Sequence, residues 1–213
     1  MKNITIVTIL GFILVSFLCC FVVHSYYRDQ ESKKLFASSV EDFRSRKAYF
    51  EDFVKRVEGD YTWLDSDKAK VSIRIPRGWE AFGGSFSAIS IKSNDFVPSG
   101  GDIKKAPFPE AGCWIDFNVQ IDKMKEGYVN LIQGILDSPD YFTDNKEQKV
   151  KIGNNYGVKT SVIKNDNPLV GEVVFLEIPK NNYTYKIDSY FFGKDRERCE
   201  KEFDDLLNSL VIK

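Results

Sequence analysis

The side chains that most often carry out catalysis are scarce in this 213-residue chain. Its single histidine, His24, lies beside a long apolar run, so the folded region beyond it has no imidazole to act as a base or to bind a metal. Ser161 and Lys164 match the S-x-x-K pattern of serine acylases, which needs a helix to bring both groups to one face. The surrounding segment predicts a strand, which sends the two side chains to opposite faces. We therefore expect no catalytic residue, no metal site and no cofactor.

Carboxylates remain as the plentiful acid-base groups. Asp137, Asp140 and Asp144 cluster near one predicted turn, and Asp65 and Asp67 flank another. Neither group has the further oxygen ligands and the glycine spacing of an EF-hand, so both are expected to be turn and cap residues. A hydrolase built from two distant carboxylates stays open, because their separation is set by the fold. The near balance of 30 basic and 31 acidic residues argues against a nucleic-acid partner.

The segment from 94 to 112 is the best candidate for a recognition surface. Its prolines and glycines break regular structure, and a loop of this length is often functional. Its aromatic side chains could equally fold back and cover one end of a sheet, so both interpretations stay open. The binding candidates in and near the segment are Trp79, Phe82, Phe96, Val97, Lys104, Lys105 and Phe108.

Two of the four cysteines lie in the predicted folded region. Cys199 is on the apolar face of a predicted last helix, from 195 to 210, and Cys113 begins the inward face of a predicted strand. A disulfide between them would suit an oxidising compartment. Two buried free thiols are the alternative, because sequence does not give the separation of the two Cα atoms.

The N-terminal residues from Ile4 to Val23 contain no charge, and their length matches the hydrocarbon layer of a bilayer. We predict an uncleaved signal anchor over residues 1–27, with a cleavable signal peptide as the alternative. The basic residues on the two sides do not favour export of the C-terminal part. The pair Cys113 and Cys199 does, so we place the N-terminus inside and the domain outside the cytoplasm.

Residues 28–59 predict an amphipathic stalk helix. Apolar residues recur in a heptad pattern from Phe36 to Val57, without glycine or proline, and Gly59 is placed to cap the end. The stalk could form a coiled coil with a second copy and make a homodimer, or it could pack on its own domain. It could also continue the anchor as one helix.

After Gly59 the apolar period changes to two. Strands are predicted at 71–75, 85–91, 113–121, 149–152, 157–163, 172–178 and 183–192, with helices at 125–136 and 195–210. Runs of strands with few helices indicate an α+β fold with a central antiparallel sheet flanked by helices.

Over residues 60–213 the chain resembles the PsbP-like family, which is widespread as small secreted or anchored bacterial domains. The resemblance is carried by the segment from Val71 to Glu80, with its proline-glycine-tryptophan turn, and by the closing helix and strand from Cys199 to Ile212. It implies a binding or assembly role rather than catalysis. We therefore expect a membrane-anchored extracytoplasmic accessory domain that binds a protein or envelope component. A lipid or small-ligand carrier, with its pocket between helix and sheet, is the alternative.

Overall fold

The chain divides into two compact units, Met1–Ser45 and Arg46–Lys213. The structure, a computed structural model, describes residues 2–84, 87–98, 111–121, 141–143, 148–164, 172–191 and 193–213. The predicted helix at 125–136, the aspartates Asp137, Asp140 and Asp144, and the candidates Lys104, Lys105 and Phe108 lie outside the described residues.

The first unit is formed by one helix, α1 (Lys2–Arg46), which is the continuous helix that the sequence left open. It contains the apolar segment Ile4–Val23, in which the side chains up to residue 21 lie outside the described part of the chain. Among the residues that are described, no helix is both long and apolar enough to cross a membrane. Phe36, Val40 and Phe43, which belong to the predicted heptad pattern, are exposed on α1.

The prediction that the stalk helix continues to residue 59 is wrong. After Arg46 the chain makes a short 3-10 turn (Phe50–Asp52) and then strand β1 (Val54–Glu58), which pairs with β2 (Tyr61–Ser66). Gly59 opens the hairpin turn with a φ of +59° instead of capping a helix. The side chain of Phe53 is buried in the core, and the strand hydrogen bonds replace the helical ones. Tertiary packing thus overrides a local pattern that favours a helix.

The second unit contains two antiparallel sheets within the described ranges, one of four strands and one of eight. The smaller sheet has the order β1-β2-β3-β12, and the larger has the order β4-β5-β6-β11-β10-β9-β7, with β8 paired to β9. The remaining elements are β3 (Val71–Ile75), β4 (Trp79–Phe82), β5 (Ile89–Ser93), β6 (Trp114–Ile121), β7 (Tyr141–Thr143), β8 (Gln148–Ile152), β9 (Asn155–Lys164), β10 (Glu172–Lys180), β11 (Tyr183–Phe191), α2 (Arg196–Ser209) and β12 (Val211–Ile212).

The hydrophobic core lies on one face of the larger sheet, which we call the inner face. Helix α2 contacts β11 and β3 there, with the Phe203 ring edge-on to the Phe191 ring at 5.9 Å. Buried Tyr185 donates a hydrogen bond from its hydroxyl to the carbonyl of Ala69, 2.8 Å away. Alternating apolar residues of β5, β6 and β11 complete this face, because successive strand side chains point to opposite sides.

The α+β architecture with a central antiparallel sheet is confirmed, and so are most of its predicted elements. Strand β3 begins and ends where the alternation predicted, and α2 lies within one residue of its predicted ends. The strand expected at 85–91 begins later, at Ile89, and β1, β2, β4 and β7 are not predicted by the sequence. All residues of β1 are exposed, and β4 and β7 have only four and three residues, so these three strands lack the clear alternation of a half-buried strand. Strand β2 is mostly buried or half-buried, and the sequence analysis missed it.

Candidate functional site

The outer face of the larger sheet, opposite the core, carries polar and aromatic side chains on its central strands. In β6, Ile115, Phe117 and Val119 are buried on the inner face, while the residues between them are half-buried on the outer face. The pairing of β6 with β11 sets each outer-face residue of one strand beside one of the other. These outer-face pairs are Trp114 with Tyr190, Asp116 with Asp188, and Asn118 with Lys186.

A pocket of about 380 Å³ opens over this row. Its size lies within the range of ordinary small-molecule sites. We call it the outer-face pocket, and it is lined by Phe82, Gly83, Gly84, Ser87, Ser90, Lys92, Trp114, Asp116, Asn118, Asp188 and Tyr190.

The carboxylate of Asp116 is held at the base of the pocket by hydrogen bonds. Its Oδ1 accepts from the Ser90 hydroxyl at 2.7 Å, from the Trp114 indole Nε1 at 3.0 Å and from the Ser87 hydroxyl at 3.1 Å. Three donors on one oxygen fix the orientation of the carboxylate. Asp116 therefore presents a preorganised carboxyl group at the base of the pocket.

Asp188 of β11 lies directly opposite Asp116, but its environment is different. Only 9% of the residue is exposed, and its Oδ1 has no hydrogen-bond partner among the described residues. Burial, and secondarily the negative charge of Asp116, raises the pKa of Asp188 from 3.8 to about 7, although nearby Lys186 acts in the opposite direction. Burial also lowers the pKa of Lys186 to about 8. Asp188 thus changes charge near neutral pH.

Aromatic rings form one wall of the pocket. The rings of Trp114 and Tyr190 stack with their centroids 4.4 Å apart and their planes 16° from parallel. The Nζ of Lys92 lies 4.9 Å from the ring centroid of Phe82, 4.3 Å from that of Phe96 and 4.8 Å from that of Trp114. Such distances allow cation–π attraction. Phe82, Lys92 and Phe96 also line an adjoining pocket of about 290 Å³.

Only some of the binding candidates that the sequence predicts lie at the pockets. Phe82 and Phe96 line the pockets, whereas Trp79 is on the opposite face of β4 and packs partly against the core. Val97 is 44% exposed and forms an isolated bridge with Ala111. The other three candidates lie outside the described residues.

The disulfide candidates are bonded to each other. Cys113 Sγ and Cys199 Sγ are joined, with the Cα atoms 5.3 Å apart, and both residues are buried. The bond attaches α2 to the start of β6, directly before Trp114. The backbone of Cys113 also exchanges hydrogen bonds with Ser93 of β5. The disulfide therefore lies beside the aromatic wall, on the core side of the sheet.

Two glycines are required by close contacts near the pocket. A Cβ on Gly84 would lie 1.9 Å from the Ser87 hydroxyl oxygen, which donates to Asp116. Gly112 has a φ of +84°, and a Cβ there would lie 2.5 Å from the Cα of Phe96. Side chains at either position would displace groups that shape the site.

Sequence reasoning did not identify the acid pair Asp116 and Asp188. The alternation of β6 already placed Trp114, Asp116 and Asn118 on one face, which was the available signal. The opposition to Asp188 depends on strand register, which the sequence did not show. In the described residues, no group of three or more His, Cys, Asp or Glu is placed to hold a metal ion.

Comparisons with known proteins identify the fold. No protein-family model matches the chain, and no curated protein sequence matches it significantly. The solution structure of cyanobacterial PsbP (CyanoP) from Synechocystis sp. PCC 6803 is similar, with a TM-score of 0.51 and 8% identity, over 74% of this chain and 95% of that one. LpqN, described as involved in cell envelope biogenesis of Mycobacterium tuberculosis, gives a TM-score of 0.47 and 9% identity over 67% of this chain and 83% of its own. The likeness to CyanoP confirms the predicted PsbP-like fold.

Proposed function

On this PsbP-like fold, we propose that the chain is a membrane-anchored extracytoplasmic accessory protein that binds a partner or ligand through the outer-face pocket. The observation that carries the proposal is the pocket itself. A fixed carboxylate, a buried carboxyl oxygen without a partner among the described residues, and an aromatic wall converge in it. Concave sites of this kind, with a few converging polar groups on an aromatic lining, are typical of binding sites.

The membrane anchor and the compartment are supported by two features. The segment from Ile4 to Val23 is uncharged and long enough to cross a bilayer as a helix. The buried disulfide between Cys113 and Cys199 fits an oxidising compartment, because cytosolic thiols are kept reduced. We infer a single-pass protein with its C-terminal domain outside the cytoplasm.

Binding at the pocket is testable by photo-crosslinking in intact cells. Phe82, 38% exposed at the pocket edge, is replaced by a photoreactive phenylalanine analogue, and the matched control carries the same analogue at Val211, which is 49% exposed on the smaller sheet. We expect an adduct of defined mass from position 82 and none from position 211. Identical adduct patterns from both positions, or none from either, would contradict the proposal.

Orientation is tested separately, with a membrane-impermeant thiol reagent on intact cells. We expect the thiol of a Val211→Cys variant, at a position that is 49% exposed, to react on intact cells without lysis. Labelling that required cell lysis would place the domain in the cytoplasm.

A carboxylate-dependent hydrolase is the second candidate, and one observation favours it. Asp116 and Asp188 face a single pocket, and their carboxyl groups have different environments, because Asp116 accepts three hydrogen bonds whereas burial raises the pKa of Asp188. Acid–base pairs in enzymes also consist of two such groups in unlike environments. Incubation of the full chain with nitrophenyl glycosides and esters tests this activity. Release of nitrophenol that is lost in both Asp116→Asn and Asp188→Asn would establish hydrolysis and overturn the accessory role.

A further inference from the structure

The opposed carboxyl groups of Asp116 and Asp188 present an electrostatic problem that the described residues do not solve. Directly opposed side chains on antiparallel strands have Cβ atoms about 4.5–5.5 Å apart, and like charges at such positions repel. Asp116 has its three hydrogen-bond donors, whereas the buried Oδ1 of Asp188 has none among these residues. A buried acceptor normally has a partner. The buried Oδ1 of Asp188 therefore favours a ligand group that donates hydrogen bonds and carries positive charge.

No cation near the pocket among the described residues donates to this oxygen. Lys92 Nζ lies over the aromatic rings, and Lys92 is directly opposed to Glu80 in the register of β4 and β5. Lys186 is two residues from Asp188 on the same strand, and it lowers the pKa of Asp188 less than burial and Asp116 raise it. The buried Oδ1 of Asp188 therefore still lacks a donor among the described residues.

The aromatic wall suits the apolar part of such a ligand. Trp114 and Tyr190 form a stacked pair next to the aspartates on the same two strands. The Nζ of Lys92 lies over Phe82, Phe96 and Trp114, so the ring of Trp114 already has an ammonium group beside it. Carboxylates and aromatic rings together are the groups that recognise organic cations.

We propose that the outer-face pocket binds a protonated primary amine, with its ammonium group between Asp116 and Asp188 and its hydrocarbon part against Trp114 and Tyr190. This inference rests on the proposed binding function and names the ligand class. A neutral alcohol would supply one donor but leave the two carboxylates repelling each other. An anion would face both negative charges.

The pH dependence of affinity reports on the role of Asp188. The charged groups around it are Asp116 from β6, Lys186 on its own strand and Lys92 from β5. An ammonium ion binds best when both aspartates are ionised. Because the pKa of Asp188 is about 7, its ionised fraction rises about tenfold between pH 6 and pH 8. We expect the affinity for an amine to rise about tenfold over this range.

The experiment is calorimetric titration of the full chain in a non-ionic detergent with three probes of similar shape: phenethylammonium, 2-phenylethanol and 3-phenylpropionate. We expect phenethylammonium to bind at least tenfold more tightly than either of the others at pH 8. Asp188→Asn should abolish this preference and its pH dependence, whereas Asp205→Asn, on the exposed side of α2, should change neither. Near-UV circular dichroism of the aromatic side chains verifies that both variants are folded.

The outcomes separate this inference from the proposed function. Three results would each overturn the amine assignment. They are equal affinity for the alcohol and the amine, an amine affinity that does not depend on pH, and absence of amine binding up to 10 mM ligand, which is roughly the upper limit for a weak specific site. The crosslink from position 82 would then still establish a binding face. If phenethylammonium binds and also displaces the crosslinked partner, the partner presents the amine; if the adduct persists, the amine is a separate small molecule.

Discussion

Replacing Asp188 by asparagine is expected to stabilise the folded chain at neutral and alkaline pH. The two side chains have the same shape, but asparagine carries no charge. In the folded protein, ionised Asp188 is buried beside Asp116, and its Oδ1 has no partner in the described part of the chain, whereas in the unfolded chain the carboxylate is hydrated. The substitution therefore removes a charge that the folded state holds at a cost.

The magnitude follows from the raised pKa of Asp188. Between pH 3.8 and about pH 7 the folded state binds more protons at this residue than the unfolded state does, so stability falls as pH rises through that window. Above pH 7 the full effect is present, about 4 kcal/mol, because each pKa unit corresponds to about 1.4 kcal/mol. Between pH 5 and pH 8 the unfolding free energy of the unmodified chain should fall by about 3 kcal/mol because Asp188 ionises.

The assay is urea unfolding of the full chain in a non-ionic detergent at pH 5, 6, 7 and 8, followed by tryptophan fluorescence. The informative quantity is the difference in unfolding free energy between Asp188→Asn and the unmodified chain, because ionisable groups that do not interact with Asp188 cancel. We expect this difference to increase in favour of the variant by about 3 kcal/mol from pH 5 to pH 8. Asp205→Asn, at an exposed position, should give a difference that does not change with pH.

A difference for Asp188→Asn that stays constant with pH would refute the reasoning, because Asp188 would then have an ordinary pKa. A decrease toward pH 8 would reverse the sign and indicate that ionised Asp188 has a donor in the folded state. Neither result would arise merely from a new hydrogen bond of the asparagine amide, which does not titrate in this range.

Three further substitutions test the surroundings of the pocket by urea unfolding. Loss of the disulfide in a Cys113→Ala/Cys199→Ala variant should lower the unfolding free energy by about 5 kcal/mol, because the bond closes a loop with a sequence separation of 86. A decrease of less than about 1 kcal/mol would contradict this prediction. Gly112→Ala should lower the unfolding free energy by at least about 2 kcal/mol, since the φ of Gly112 is +84° and a Cβ would meet a backbone atom at 2.5 Å. An unchanged urea midpoint would show that the backbone there adjusts freely. Gly84→Ala should cost only about 1 kcal/mol, through the hydrogen bond of Ser87 to the fixed carboxylate, and a cost as large as that of Gly112→Ala would contradict this.

The parts of the fold that follow from the sequence are those in which one face of an element is buried. The alternation in β3 and β6 predicts which side chains pack in the core, and so does the apolar face of α2. Strand β1 has no such pattern, because all five of its residues are exposed. Its segment has no glycine or proline before Gly59, so local preference indicates a helix, and only the pairing with β2 makes it a strand.

The candidate site follows from the sequence only in part. Phe82 and Phe96 were recognised as aromatic residues near a broken segment, and both line the pockets. The pair Asp116 and Asp188 was not recognised, because each aspartate alone looks like a solvated residue of a strand. Their opposition depends on the register of β6 against β11, and a shift of one residue would move Asp188 to the inner face.

The position of the acid pair within the sheet argues for binding rather than for stability. Strands β6 and β11 are neighbours in the interior of the larger sheet, where ladder hydrogen bonds on both sides hold the backbone. At one end of β6 the buried disulfide fixes the backbone directly before Trp114. A rigid frame of this kind keeps two like charges together that a flexible loop would separate. A fold selected for stability alone would have an uncharged residue at position 188, so the aspartate there supports the proposal that its charge is used in binding.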